Sequence, residues 1–323
     1  MNKDKSNSEI ILDNKKKLEI LKAISKQLIE MYVFTDKAKE IEKKLDENFN
    51  KGNFDNITAI QVFANKINNI FQEISNDQHL QIKYDISELN RIITLRESNQ
   101  DEIKRVKQEQ IDSFRDLNFG FKKLEILDGN IGYLDLIGFC ETDYASETAI
   151  AAMNFLANTN SLIIDLRENG GGEPEMVLFL ASYFLEAGIL WNTIVWPYKK
   201  TTEEFWILEK VTGKKMIDKD MYVLISKNTF SGGEDFAYGM KCLKRATLIG
   251  ETTRGGAHPT DGFSILDLMV LNIPKGQAIN PISKANWEGV GVKPDIYIDA
   301  ELAFNKAYEL ALEKSIQKTI DSD

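Results

Sequence analysis

From Leu18 to about Ile74 the chain places apolar residues at helical spacing between charged ones. Leu18, Ile20, Leu21, Ile24, Leu28, Ile29 and Met31 recur at three-and-four intervals, which gives a first helix one apolar stripe. Val33-Phe34-Thr35 ends it, and Thr35-Asp36 can cap a second helix that turns Ala38, Ile41 and Leu45 inward. A third helix is predicted from Thr58 to Ile74, carried by Ile60, Val62, Phe63, Ile67, Ile70 and Phe71. The period then changes. His79-Leu80-Gln81-Ile82-Lys83-Tyr84 alternates polar and apolar, the pattern of a half-buried strand. Residues 87–112, crowded with Glu, Gln, Lys and Arg, read as a solvated helical connector.

At about Phe114 the pattern turns to strands. Phe121 to Leu127 and Ile131 to Phe139 flank Asp128-Gly129-Asn130, which predicts a hairpin because Asp-Gly supplies the positive φ such a turn needs. A helix around Ser146–Asn158 leads into the short buried strand Leu162-Ile163-Ile164-Asp165-Leu166. The scheme repeats with helix Pro174–Leu185, strands Thr193–Trp196 and Met221–Ser226, helix Gly233–Leu243 and strand Ala246–Ile249. Strand–helix alternation of this kind predicts an α/β core. A β-rich segment from Phe263 to Ile298 and an amphipathic helix from about Glu301 to Ser315 close the chain.

A length of 323 residues suits two domains, and 43% hydrophobic with 28% charged residues excludes disorder and collagen-like repeats. The net charge of −10 and pI near 5.0 repel phosphate backbones and anionic lipid, which disfavours nucleic-acid and electrostatic membrane binding. Cys140 and Cys242 lie far apart and match no metal spacing, and two histidines exclude a multi-histidine zinc site. Any histidine chemistry must therefore use His79 or His258. The patch Ile10-Ile11-Leu12 is too short for a signal-peptide core. The longest apolar stretch, Met176 to Leu185, stops after about ten residues where a span needs ~20. The expectation is a soluble, cytoplasmic chain as given, without an integral membrane segment.

Four segments can carry chemistry. In Asp165-Leu-Arg-Glu-Asn-Gly-Gly-Gly172, three glycines bare the backbone N–H groups before Pro174 opens a helix; this fits either an anion or oxyanion site or a tight turn. Ser231, in Ser226-Lys-Asn-Thr-Phe-Ser-Gly-Gly-Glu234, stands between a strand and a helix. It reads as a nucleophile on an elbow, with the Gly232 N–H toward an oxyanion, or as an N-cap whose capping-box partner is Glu234. His79 follows a polar run and His258 lies in a glycine-rich loop; either can act as a base or serve as a hydrogen-bonded surface residue. In Asn286-Trp-Glu-Gly-Val-Gly-Val-Lys-Pro-Asp295, Glu288 can orient a base or simply occupy a glycine turn.

Their joint occurrence is what acyl transfer requires. The ordered motifs Leu166-Arg-Glu-Asn-Gly-Gly-Gly172, Thr229-Phe-Ser-Gly-Gly-Glu234, Gly250-Glu-Thr-Thr-Arg-Gly-Gly256 and Gly289-Val-Gly-Val-Lys-Pro-Asp295 resemble the tail-specific, or C-terminal-processing, serine peptidase family. The similarity is greatest to its branch with the tricorn core and the repeats of interphotoreceptor retinoid-binding protein. Tyr32-Val-Phe-Thr-Asp36 and Asp77-Gln-His-Leu80 also resemble that branch.

The resemblance implies a crotonase-like α/β core, over residues 113–323, preceded by an N-terminal helical domain over 1–112. It makes Ser231 the nucleophile, His79 the base and Glu288 the acid. It assigns the oxyanion hole to Gly232 with Gly171 or Gly172, and places His258, Glu234 and Arg254 along the cleft. It implies a peptide or unfolded-protein substrate and no metal or cofactor. Gly256 stands where the processing peptidases carry a lysine base, and no segment resembles their inserted PDZ domain. Because the retinoid-binding relatives use this scaffold for transport, the alternative function is a non-catalytic module that binds a hydrophobic ligand or a peptide.

Overall fold

The computed structural model describes residues 11–320, so Ile10, where the N-terminal apolar patch begins, lies outside the described residues. In chain order the elements are α1 (Asn14–Met31), α2 (Thr35–Asn50), α3 (Ile60–Ser75), β1 (Gln81–Lys83), α4 (Ile86–Glu97), α5 (Gln100–Asp116), β2 (Phe121–Leu127), β3 (Ile131–Leu136), α6 (Thr142–Leu156), β4 (Ser161–Asp165) and α7 (Pro174–Ala181). They continue with β5 (Leu190–Trp196), β6 (Thr201–Trp206), β7 (Asp220–Ile225), α8 (Gly232–Cys242), β8 (Thr247–Gly250), β9 (Thr260–Ile265), β10 (Met269–Pro274), β11 (Gln277–Ile279), β12 (Ile296–Tyr297) and α9 (Ala300–Ile320). The chain divides into two units. The first runs to Val106 and takes in Trp196–Thr201 and His258–Gln277; the second holds Lys107–Val195, Thr202–Ala257 and the chain from Ala278 onward.

In the first unit the apolar stripes of three helices converge. Ile20, Ile24 and Leu28 of α1, Ile41 and Leu45 of α2, and Phe63, Ile67 and Phe71 of α3 are fully buried, each stabilising by about 1.5–3 kcal/mol. Asp13 caps α1 by accepting the Lys16 N–H at 2.7 Å. Asn76 ends α3 in the left-handed region, φ 51°, which turns the chain out at Asp77. The helices pack with a three-stranded antiparallel sheet of order β1-β10-β9, whose Ile82, Leu271 and Ile273 complete the same core. The charged connector is two helices rather than one. Asn99 Oδ1 accepts the N–H groups of Asp101 and Glu102, an N-cap that starts α5 afresh after Ser98.

The second unit is built on a six-stranded sheet of order β12-β8-β7-β4-β3-β2. Only β2 and β3 pair antiparallel; the other neighbours are parallel. Gly129 (φ 79°) and Asn130 (φ 56°) make the β2–β3 turn, as the Asp-Gly-Asn sequence predicts. Ala303, Ala307 and Ala311 of α9, one turn apart, pack with Ile131, Ile163, Leu224 and Ile249; their short side chains let the helix lie close on the sheet. β4 is buried along its whole length, as its unbroken apolar run requires. A smaller sheet has the order β11-β5-β6. The loops at the carboxyl ends of β4 and β7, where parallel sheets bind ligands, are the two glycine-rich motifs. Among the described residues no helix is long and apolar enough to cross a membrane.

Candidate active site

Ser231 ends the loop between β7 and α8 with φ 51° and ψ −117°, a conformation costly to any residue with a Cβ. The strain is held from both sides. The loop is pinned to the chain after β4: Ser226 Oγ donates to Arg167 O (2.6 Å), Thr229 Oγ1 to Leu166 O (2.7 Å) and Phe230 N to Asn169 O (2.9 Å). On the helical side, the fully buried Glu234 carboxylate accepts the Ser231 N–H at 2.9 Å. The same carboxylate accepts Thr253 Oγ1–H (2.5 Å) and the N–H groups of Gly255 (2.6 Å) and Gly256 (2.8 Å). Burial raises the Glu234 pKa, and these four donors counter part of that rise. Glu234 therefore braces the elbow from beneath.

The triple-glycine run packs directly on this elbow. A Cβ at Gly171 would lie 2.7 Å from Ser231 Cβ and 2.9 Å from Gly232 N, and one at Gly172 would collide with the Phe139 carbonyl. Both have positive φ, 101° and 132°, so glycine is required twice over. The amides of the run differ in employment. Gly170 N–H donates to Ile137 O (3.1 Å) and Gly171 N–H to Asn169 Oδ1 (2.9 Å), which leaves that of Gly172 without an acceptor among the described residues. Gly172 N also lies 3.1 Å from where a Gly232 Cβ would stand. Gly232 N–H belongs to the first turn of α8, where helical amides have no partner in the helix. The second unit thus gathers a half-exposed hydroxyl and two backbone donors, an arrangement suited to an anionic tetrahedral centre.

The other expected residues of this unit lie on two loops, Arg254 after β8 and Glu288 between β11 and β12. The Arg254 guanidinium stacks 4.6 Å above the Phe230 ring, and the Arg254 N–H donates to Thr229 O. Glu288 Oε2 accepts the Ala257 N–H at 2.6 Å, while the buried Trp287 donates its indole N–H to Gly256 O at 2.7 Å.

Both histidines belong to the first unit, and there they share Asp77. The buried His258 ring holds its Nδ1 3.0 Å from Asp77 Oδ2, which also accepts Tyr32 O–H at 3.1 Å. His79 donates its backbone N–H to Asp77 Oδ1 at 3.1 Å. His258 is 2% exposed and edge-on to Phe34, whereas His79 is half-buried. Burial pushes the Asp77 carboxyl up, but the hydrogen bond and charge of His258, with the charge of His79, outweigh it and hold the group below the usual carboxylate range. Sequence reasoning took Asp77 for part of a polar run. The signal the sequence did carry was the Asp77-Gln-His-Leu80 segment shared with the tricorn-like branch, which drew attention to His79 rather than to Asp77.

Comparison with known proteins agrees with this architecture. The profile of peptidase family S41 matches residues 130–298, and that of the N-terminal domain of Peptidase_S41 in eukaryotic IRBP matches residues 5–119. The carboxy-terminal processing protease CtpA of Bacillus subtilis is 30% identical over 131 residues, 41% of this chain and 27% of that protein. The tricorn protease of Thermoplasma volcanium is 28% identical over 169 residues, 51% of this chain and 15% of its own length. The chain therefore spans less than a third of these relatives. A candidate peptidase from Parabacteroides merdae superposes with a TM-score of 0.62 at 16% identity, over 92% of this chain and 96% of that one, a likeness of fold alone. With the S41 profile covering more than half its length, and glycine loop, serine elbow and parallel sheet inside the matched span, this chain belongs to peptidase family S41.

Proposed function

We propose that the protein is a serine peptidase acting on peptide or unfolded-protein substrates through an acyl-enzyme on Ser231. The observation that carries the reading is the strained Ser231 elbow with the Gly172 and Gly232 amides beside it. Ser231 Oγ adds to the substrate carbonyl carbon while its proton passes to a neutral imidazole. The oxyanion is stabilised by the two amides, about 3 kcal/mol for each well-aimed donor. Collapse expels the amine, which takes the proton from the imidazolium, and water then releases the acid by the same route. His79 is assigned as the base and Glu288 as the acid that orients the site, both from the family's motif order. The half-buried His79 ring supports that choice, since the other histidine is buried and bonded at Nδ1.

The Asp77–His258 pair favours one second reading, in which Asp77 fixes the tautomer of a His258 base. We infer further that the chain divides near 112/113 and that its core is of the crotonase-like class. The two family profiles, over residues 5–119 and 130–298, support a two-part chain with its change a little after that boundary, and the successive strand–helix crossovers of the parallel sheet support the class of the core. A fluorophosphonate probe tests the function. Wild type is expected to be labelled once, at Ser231, and Ser231→Ala to lose both labelling and peptide hydrolysis. Absence of labelling and hydrolysis in the wild type would favour a binding module instead.

A further inference from the structure

Asn169 is the uncharged polar side chain of the glycine loop, and it is fully buried. Its amide joins two segments: Nδ2 donates to Leu136 O at the end of β3 (2.9 Å), and Oδ1 accepts the Gly171 N–H (2.9 Å). Its own carbonyl accepts Phe230 N–H, one residue before Ser231, at 2.9 Å. Its Oδ1 also stands 2.7 Å from the place a Cβ on Gly233 would take, so the side chain abuts the first turn of α8. Strand, glycine loop and nucleophile loop are thus referred to one residue.

We infer that Asn169 is the positioning residue of the oxyanion pocket, choosing which glycine amide is presented. By capturing the Gly171 N–H, Oδ1 turns that peptide inward, while the Gly171 carbonyl accepts Phe139 N–H at 2.8 Å. With both faces of Gly171 occupied, the next amide, Gly172 N–H, is the one left for the substrate oxyanion. Both hydrogen-bonding ends of the side chain are needed. Nδ2 fixes the carboxamide plane on β3, and that plane aims Oδ1. A carboxylate there keeps the acceptor and loses the donor, and it adds negative charge beside a developing oxyanion. Asn169 touches no substrate and acts through the loop. This inference rests on the reading of Ser231 as the nucleophile.

The test compares Asn169→Asp and Asn169→Ser with wild type in steady-state peptide hydrolysis, thermal unfolding and inhibition by a peptide aldehyde, which forms a tetrahedral adduct. Misplacing one oxyanion donor costs about 10²–10³ in kcat. Both variants are expected to lose kcat on that scale with KM within about threefold. Aldehyde affinity should fall in step with kcat, and binding of an uncleaved peptide to the same variants on a Ser231→Ala background should be retained. Wild-type kcat in either folded variant would overturn the inference. So would an activity loss that only follows the unfolded fraction, or equal losses of aldehyde and peptide affinity. If Asn169→Ser does not fold, Asn169→Asp, nearly the same in size, decides. Failure of the underlying reading is distinguishable, because wild-type Ser231 would then resist the fluorophosphonate.

Discussion

Asp235, next to the brace of the nucleophile elbow, has a consequence that can be measured without a substrate. Its carboxylate is buried in the first turn of α8, where Asn192 Nδ2 donates to Oδ1 at 3.0 Å and Trp191 Nε1 to Oδ2 at 3.4 Å. Burial pushes its pKa up to about 7, because two neutral donors replace less than the water that was lost. The unfolded chain releases this proton near the ordinary 3.8. Below that pH both states hold the proton and nothing is lost. Between about 4 and 7 the unfolded state is increasingly ionised while the folded state is not, so stability falls as pH rises. Above about 7 the loss is complete, on the order of 4 kcal/mol at 1.36 kcal/mol per pKa unit.

Asp235→Asn removes the titration. One amide N–H then faces the longer contact, from Trp191, and returns about 1 kcal/mol of the gain. The variant should therefore be about 2–4 kcal/mol more stable than wild type at pH 8 and within about 1 kcal/mol of it at pH 4. Urea unfolding at half-unit pH steps, taking the difference between the two proteins, isolates this group from every other titration. A difference independent of pH, or a less stable variant at pH 8, would refute the reasoning.

Two further outcomes bear on the site. Gly172→Ala should cut kcat at least about 100-fold and lower the melting temperature, since its Cβ meets the Phe139 carbonyl and displaces the proposed donor. His79→Ala should remove nearly all turnover, while His258→Ala keeps a measurable fraction; the reverse pattern in folded proteins would transfer the base to the Asp77–His258 pair.

The elements that periodicity governs were legible in the chain. The stripes of α1 to α3, the Asp-Gly-Asn hairpin and the buried run of β4 each declare themselves within a few residues. The glycine loops were legible for a similar local reason, being dense in glycine between an apolar strand and a helix. What failed to show is long-range or unpatterned. β6, Thr-Thr-Glu-Glu-Phe-Trp, has no alternation to read, because only Phe205 is buried. The cap at Asn99 that divides the connector was hidden in a uniformly charged stretch. Asp77 and His258 are 181 positions apart, and nothing local tells a polar residue that its partner lies there. Glu234 was visible as a capping-box acid, yet its bonds to Gly255 and Gly256 depend on the fold bringing the loop after β8 to it.

The first unit is sewn from separated stretches of chain, and this has a cost in time. Its core needs Ile265, Met269, Leu271 and Ile273 as much as the stripes of α1 to α3. A ribosome adding ~5–20 residues per second makes those helices early and delivers their closing strands on the order of 10–40 s later. During that interval the nascent chain must carry an uncovered apolar surface while the α/β crossovers of the other unit are still emerging. Birth order thus runs against spatial order, and a fragment stopped at the end of α4 would leave the ribosome with its hydrophobic face unsheltered.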